Sequence, residues 1–207
     1  MPKRRVNPAR NPSAKPAANE GRRETILDAA LGLIARQGFA AVSHRRVAAA
    51  AGVPLGSTTY YFESREHLLR EAFRRYLAQT SAELADGARA LKERPTLARA
   101  LDYLLAYTER EVADRAVIVT EYELVLFAAR DGSLAEELHA WYDAMVADLA
   151  EVLERLGART PFDAARAVFQ MVRGYELEAL TRGEPRTADL RRRLETLLTS
   201  YLASSGA

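Results

Sequence analysis

The sequence predicts an all-α fold of about nine helices, and three observations lead there. The 207 residues are 48% hydrophobic but only 8% aromatic, and Ala, Leu, Arg and Glu, all strong helix formers, dominate. Apolar positions recur every three or four residues, with no strand-like alternation and no internal repeat. Gly and Pro also mark the breaks between these periodic stretches, as at Gly38, Gly52, Pro95, Gly132, Gly157 and Pro185.

Taken in order, residues 1–19 hold four prolines and five Lys or Arg without an apolar period, and are expected to form a disordered basic arm. The arm serves either as a solubilising tail or as a segment lying along DNA phosphates. From Arg22 a helix places Ile26, Ala30, Leu33 and Ile34 on one face and ends near Gly38. Ser43 caps a short helix through Ala51 that turns Val47, Ala48 and Ala51 inward, and Gly52 punctuates it. A second short helix runs from about Pro54 or Leu55 to Phe62. Ser64 caps a long fourth helix, stopped near Lys92 by Arg94-Pro95. Five further helices are expected at about 96–112, 114–130, 134–156, 161–182 and 187–203. Their separators are Asp131-Gly132-Ser133, Gly157 through Pro161, and Gly183-Glu184-Pro185.

The chain has no cysteine, which excludes disulfides and thiolate metal sites. No run approaches the roughly 18 to 20 apolar residues of a membrane span, and Pro and Asn follow the basic N-terminus where a signal peptide needs an apolar stretch. A cytoplasmic protein without membrane contact is expected. The net charge of +2 is unevenly spread: residues 1–66 carry eleven Lys or Arg against five acids, and the other 141 carry nineteen against twenty-three. A basic N-terminal third before an acidic remainder suits nucleic-acid binding at one end.

Two short helices joined by a Gly-containing turn and braced by an amphipathic helix form a helix-turn-helix. In segment 54–62, PLGSTTYYF, small residues let the backbone approach base edges, while hydroxyls offer hydrogen bonds to bases or phosphates. Tyr60 suits a phosphate contact. Tyr61 either packs on the fourth helix or does the same, whereas Val53 and Phe62 belong to the core.

The motif extends further. Gly38-Phe39, then Ser43 to Ala48 with Arg45 and Val47, then Gly52-Val53-Pro54-Leu55-Gly56, Tyr60-Tyr61-Phe62 and Ser64-Arg65-Glu66 follow one another at close spacing. Residues 23–69 closely resemble the DNA-binding domain of the TetR family of repressors. The resemblance implies an N-terminal three-helix helix-turn-helix domain at 20–80 and a helical effector-binding and dimerisation bundle at 81–207. It implies a ligand-responsive repressor that binds a palindromic double-stranded DNA operator as a homodimer and needs no cofactor or metal. Ser43, Arg45 and Arg46 then become phosphate or groove contacts, Ser43 as cap, contact or both, and Arg46 as contact or ordinary surface residue. Leu55, Gly56, Ser57, Thr58 and Thr59 become the reading surface, and Tyr60 and Arg65 phosphate contacts. Two departures bear on base preference: Pro54 replaces a frequent capping Ser, and Thr59 stands where many members have Tyr.

In the C-terminal bundle, the stripes Phe162, Ala165, Phe169, Val172 and Leu190, Leu194, Leu197, Tyr201 are either core or, as the resemblance implies, dimer interface. Helix 114–130 is apolar nearly all round except for Glu121 and Glu123, about 200° apart on the helical wheel, so at least one is buried or lines a pocket. Such a carboxylate either pairs with an Arg or helps bind a polar or cationic small-molecule effector. Tyr103, Tyr107, Tyr122, Phe127, Trp141, Tyr142, Met145 and Met171 would wall that pocket. An enzyme is disfavoured, because His44, His67 and His139 lie far apart and neither a Ser elbow nor a Gly-rich phosphate loop is present.

Overall fold

The computed structural model describes residues 14–182 and 187–202. Among these residues the chain forms nine α-helices and one 3-10 turn: α1 (Ala14–Gln37), the turn (Phe39–Ala41), α2 (His44–Ala51), α3 (Leu55–Tyr61), α4 (Arg65–Glu93), α5 (Leu97–Ala113), α6 (Arg115–Ala128), α7 (Gly132–Arg155), α8 (Pro161–Arg182) and α9 (Thr187–Tyr201). None of these helices is long and apolar enough to cross a membrane.

Most boundaries fall where caps and breakers place them. Ser43, Ser64 and Thr96 each accept a hydrogen bond from the backbone N–H three residues on, which opens α2, α4 and α5. Gly52 closes α2 in the left-handed conformation at φ +65°. The start of α1 is a correction, for it begins at Ala14 and not at Arg22, so residues 14–19 of the expected disordered arm are helical. Ala14, Ala17 and Ala18 favour the helix, and Pro16 falls in its first turn, where no N–H is required. The rest of the arm, 1–13, lies outside the described residues, as does the Gly183-Glu184-Pro185 separator.

Two cores hold the helices. The first joins Ile26, Ala30 and Ile34 of α1, Val47 of α2, Phe62 and Phe73 to Leu124 and Ala128 of α6 and Leu134, Leu138 and Trp141 of α7. It therefore crosses the boundary expected near residue 80 and ties the helix-turn-helix to the bundle. Phe62 and Phe73 are fully buried, and truncating either to Ala should cost about 3–5 kcal/mol. The second core joins Leu101 and Leu105 of α5, Val146 and Leu153 of α7, Ala165 and Val168 of α8, and Leu190, Leu194 and Leu198 of α9. Helix α4, of 29 residues and hence about 43 Å long, runs from the helix-turn-helix into the bundle.

Candidate nucleic-acid interface and internal cavity

Helices α1, α2 and α3 fold as one unit. Val47 and Ala48 bury the inner face of α2, and Gly52 and Val53 turn the chain into α3. Pro54 precedes α3 with no side-chain cap, although its carbonyl accepts the Ser57 N–H at 2.9 Å. Leu55, Gly56, Thr59 and Tyr60 are exposed along α3, Leu55 at 48% and Tyr60 at 75%. Nothing lies within 4 Å of the position a Cβ would take on Gly56, so the backbone is open there to a groove. Ser57 is half-buried beside them.

Thr58 does not belong to this surface, contrary to the sequence expectation. It is fully buried, and its hydroxyl donates to the Leu55 carbonyl at 2.8 Å and more weakly to His44 at 3.5 Å. In a seven-residue helix packed on α2, one position in four must point inward. Tyr61 is half-buried and its hydroxyl donates to the Asn19 carbonyl at 3.0 Å, so it braces α1 against α3.

Ser43, Arg45 and Arg46 flank α3 at the start of α2. Both arginines are exposed, and Arg46 also contacts Gln37. The guanidinium of Arg65 is largely committed internally, with Nε donating to the Val42 carbonyl at 2.9 Å and Nη2 to the Phe39 carbonyl at 2.7 Å. It thus clamps the turn before α2 to the start of α4 and leaves Nη1 as its outward nitrogen, 3.8 Å from Glu66.

The bundle holds a cavity of about 100 Å³ that opens to solvent. Leu84, Ala88 and Leu91 of α4 form one wall, Tyr103, Leu104 and Tyr107 of α5 a second, Met145 and Leu149 of α7 a third, and Phe169, Val172, Arg173 and Glu176 of α8 the last. Of the expected pocket residues, Tyr103, Tyr107 and Met145 line it, and seven do not. Trp141 lies in the first core with Nε1 donating to Ser81 Oγ at 2.8 Å, and Phe127 stacks on Phe39 at 5.0 Å. Tyr122 donates its hydroxyl to the Arg173 carbonyl at 2.9 Å, and Met171 packs on the second core. Tyr142 lies beneath Arg173, whose guanidinium is 6.0 Å from that ring and 5.0 Å from Phe169.

Glu121 and Glu123 part company, as their angular separation requires. Glu121 is buried and pairs with Arg173 Nη2, while Arg173 Nη1 donates to Glu176 Oε2 at 2.9 Å. Burial opposes the charge on Arg173, but Glu121 and Glu176 outweigh it and hold the guanidinium charged, well above its ordinary range. Burial raises Glu176 above its ordinary value against the pull of Arg173. Glu111, with its side chain 12% exposed, is pushed up to about 7 by burial and by the charges of Glu121 and Glu176. Glu123 turns the other way and accepts the Phe39 N–H. Sequence reasoning missed Arg173, Glu176 and Glu111. The signal available for the first two was an Arg and a Glu three residues apart on the otherwise apolar stripe of α8.

The expected dimer stripes also need correction. Ala165, Leu190 and Leu194 are at most 1% exposed and Val172 is 9%, all within the protomer's own second core, and Phe169 and Val172 face the cavity. Leu197 and Tyr201 are half-buried against the same core. Helices α5, α6, α7 and α9 pack on α8, and α5 and α8 on α9, so only Phe162 of the expected α8 stripe points outward, at 60% exposure. The outward face of α8 is instead Phe162, Arg166, Gln170, Gly174 and Leu177.

Residues 26–72 match the family model of bacterial regulatory proteins of the tetR family, and residues 80–200 match that of the tetracyclin repressor-like C-terminal domain. The chain belongs to the TetR family. Membership makes it a DNA-binding transcriptional regulator, and α2 and α3 are its helix-turn-helix. It is 30% identical over 169 residues to an HTH-type transcriptional regulator in the dhlA 5′ region of Xanthobacter autotrophicus, over 78% of this chain and 81% of that one. It is 25% identical to the nicotine-responsive transcriptional repressor HdnoR of Paenarthrobacter nicotinovorans, over 89% and 96% of the two chains. Among solved structures, the multidrug binding protein EbrR complexed with ethidium superposes with a TM-score of 0.67 at 32% identity, over 85% of this TetR-family chain and 98% of that one.

Proposed function

We propose that the chain is a ligand-responsive repressor that binds a palindromic operator as a homodimer in the cytoplasm and is released when a small organic effector enters the bundle cavity. One observation carries this reading: α4 begins at the Arg65 clamp beside the DNA-facing helices and contributes Leu84, Ala88 and Leu91 to the cavity wall. A ligand that shifts one end of a rigid helix shifts the other, and an effector acts only through its different affinity for the two arrangements. The names of relatives support it, one being nicotine-responsive and another holding ethidium in its structure.

In this reading residues 20–80 form the DNA-binding domain and 81–207 the effector and dimerisation domain, with the basic arm an addition to the first. Leu55, Gly56, Ser57 and Thr59 read the major groove. Ser43, Arg45, Arg46 and Tyr60 position the unit on phosphates, with Arg65 fixing the turn that presents them. Glu121 reaches the effector pocket only through Arg173, which lines it, and Glu123 ties α6 to the turn before α2. The second copy docks on the outward face of α8, where Phe162 and Leu177 flank Gly174, a position with nothing within 4 Å of an added Cβ.

Sedimentation of the wild type and of a Phe162→Glu, Leu177→Glu variant tests the dimer. The expected result is a dimer that becomes monomeric with loss of operator binding, and a variant that stays dimeric excludes this face. A reporter assay on the bound operator separates repression from activation.

A further inference from the structure

We propose that residues 1–13 form a second DNA-binding element, a basic arm that runs along the phosphates flanking each half-site and widens the footprint of the helix-turn-helix. The inference rests on reading α3 as the helix that enters the operator, and gives the arm a site on DNA in place of a solubilising role.

Where the arm begins is the first observation. The described chain starts at Ala14 of α1, about 8 Å of helix before Asn19. The Asn19 carbonyl accepts from the Tyr61 hydroxyl at 3.0 Å, and Tyr61 is the last residue of α3. Its ring meets that of Tyr60 edge-on, with centroids 5.0 Å apart, and Tyr60 is 75% exposed beside the residues that read the groove. Tyr61 thus holds the root of the arm against the end of the reading helix.

Charge is the second. Lys3, Arg4, Arg5 and Arg10 stand in the arm with no acid before Glu20. On the folded surface behind it, Arg23, Arg74 and Arg75 are each spent on a carboxylate, of Glu71, Glu137 and Asp28 in turn. No such acid competes for the arm's cations within its own sequence. A run of cations of this kind matches a polyanion, and each phosphate neutralised releases condensed counterions.

Reach is the third. Residues 1–13 span at most about 45 Å when extended, more than the ~34 Å of one turn of the duplex. The arm can therefore pass beyond the bases under α3 to phosphates that the folded unit does not reach. Asn7 and Asn11 each precede a proline, and both steps favour an extended path over a helix. Val6 is the one large apolar residue between Pro2 and Ser13, too little to dock the segment on the bundle instead.

Titration of the operator duplex recovered by library selection, with flanking sequence on both sides, tests this in the full-length protein. The comparison is with a variant carrying Lys3→Gln, Arg4→Gln, Arg5→Gln and Arg10→Gln, which leaves both cores and the helix-turn-helix untouched. The slope of log affinity against log salt concentration should become shallower by about 3 to 4 for each protomer bound, and affinity at low salt should fall by more than about tenfold. Hydroxyl-radical footprints should lose protection at both outer edges while the half-sites keep their base preference. A folded variant with the wild-type slope overturns the inference and leaves α3 as the reading helix. So does a shallower slope with the outer edges still protected, since the lost contacts then lie elsewhere. A wild type without salt-dependent binding overturns the arm together with the helix-turn-helix reading.

Discussion

The backbone N–H of Phe39 donates to Oε2 of Glu123 at 3.3 Å, so a carboxylate of α6 closes the turn between α1 and α2. The Phe39 carbonyl accepts from Arg65, and its ring stacks on Phe127. One residue of the DNA-binding unit is thus held by α6 and α4 together. Glu121, two residues earlier on α6, pairs with Arg173 at the cavity. Under the proposed effector reading, a ligand that shifts Arg173 is expected to act on Glu121 and, two residues on, on the turn before α2.

Glu123→Ala should therefore separate binding from response. Ligand affinity by calorimetry is expected to stay within about twofold, while the ligand concentration needed to release DNA rises, because the coupling free energy falls by about 0.5–2 kcal/mol. Wild-type release by this variant would remove Glu123 from the route.

The corrected placement of Thr58 distinguishes it from its neighbours. Thr58→Ala should lower stability by about 1–2 kcal/mol through lost packing and a lost hydrogen bond, with base preference unchanged. Ser57→Ala should do the reverse, relaxing the preference at one base position by about 1–3 kcal/mol. Arg45→Ala should weaken all DNA sequences alike and reduce the salt slope of binding by about 1. Binding titrations at several salt concentrations read both effects.

Gly87 packs under Tyr103, and a Cβ there would come within 2.2 Å of the phenol ring. The clash is with the far end of a side chain, so the ring can swing away. Gly87→Ala should change stability by less than about 1 kcal/mol, since the gain in helix propensity offsets the displaced ring. Ligand affinity should change, because Tyr103 is part of the cavity wall. A large loss of thermal stability would mean that Tyr103 cannot move.

Glu111 sets a pH dependence. Its carboxyl is pushed up to about 7 in the folded state from an ordinary 4.5. Between those values the folded state holds a proton that the unfolded chain has lost, so stability falls as pH rises from about 4.5 to about 7. Glu121, Glu176 and Glu83 oppose its ionisation, and Arg110 favours it. Glu111→Gln should flatten this part of the stability profile and stabilise the protein at pH 8 by about 1–2 kcal/mol. An unchanged slope in denaturant titrations would assign it elsewhere.

The helix-turn-helix was legible because its signals are local. Ser43, Gly52 and Ser64 each fix a boundary through a backbone cap, and Ile26, Ala30, Val47 and Phe62 show their inward face by period alone. The cavity was less legible because its walls come from four helices distant in sequence, and an aromatic residue shows that it is buried without showing against what. Trp141 and Phe127 were sensible pocket candidates by type, yet they pack in the first core. Leu190 and Leu194 show the same limit, since one apolar stripe serves a protomer's own core as well as a partner. Arg173 and Glu176 were hidden because a charged pair at i and i+3 reads as surface until tertiary packing covers it.

The central claim is that two copies present α3 to a two-fold symmetric DNA site. Selection of bound sequences from a random duplex library by the full-length protein, repeated at two salt concentrations, tests it most directly. The account predicts a palindrome whose half-sites change when Ser57 is substituted, with affinity falling steeply as salt rises. An enriched site without two-fold symmetry, or binding insensitive to salt, would contradict it.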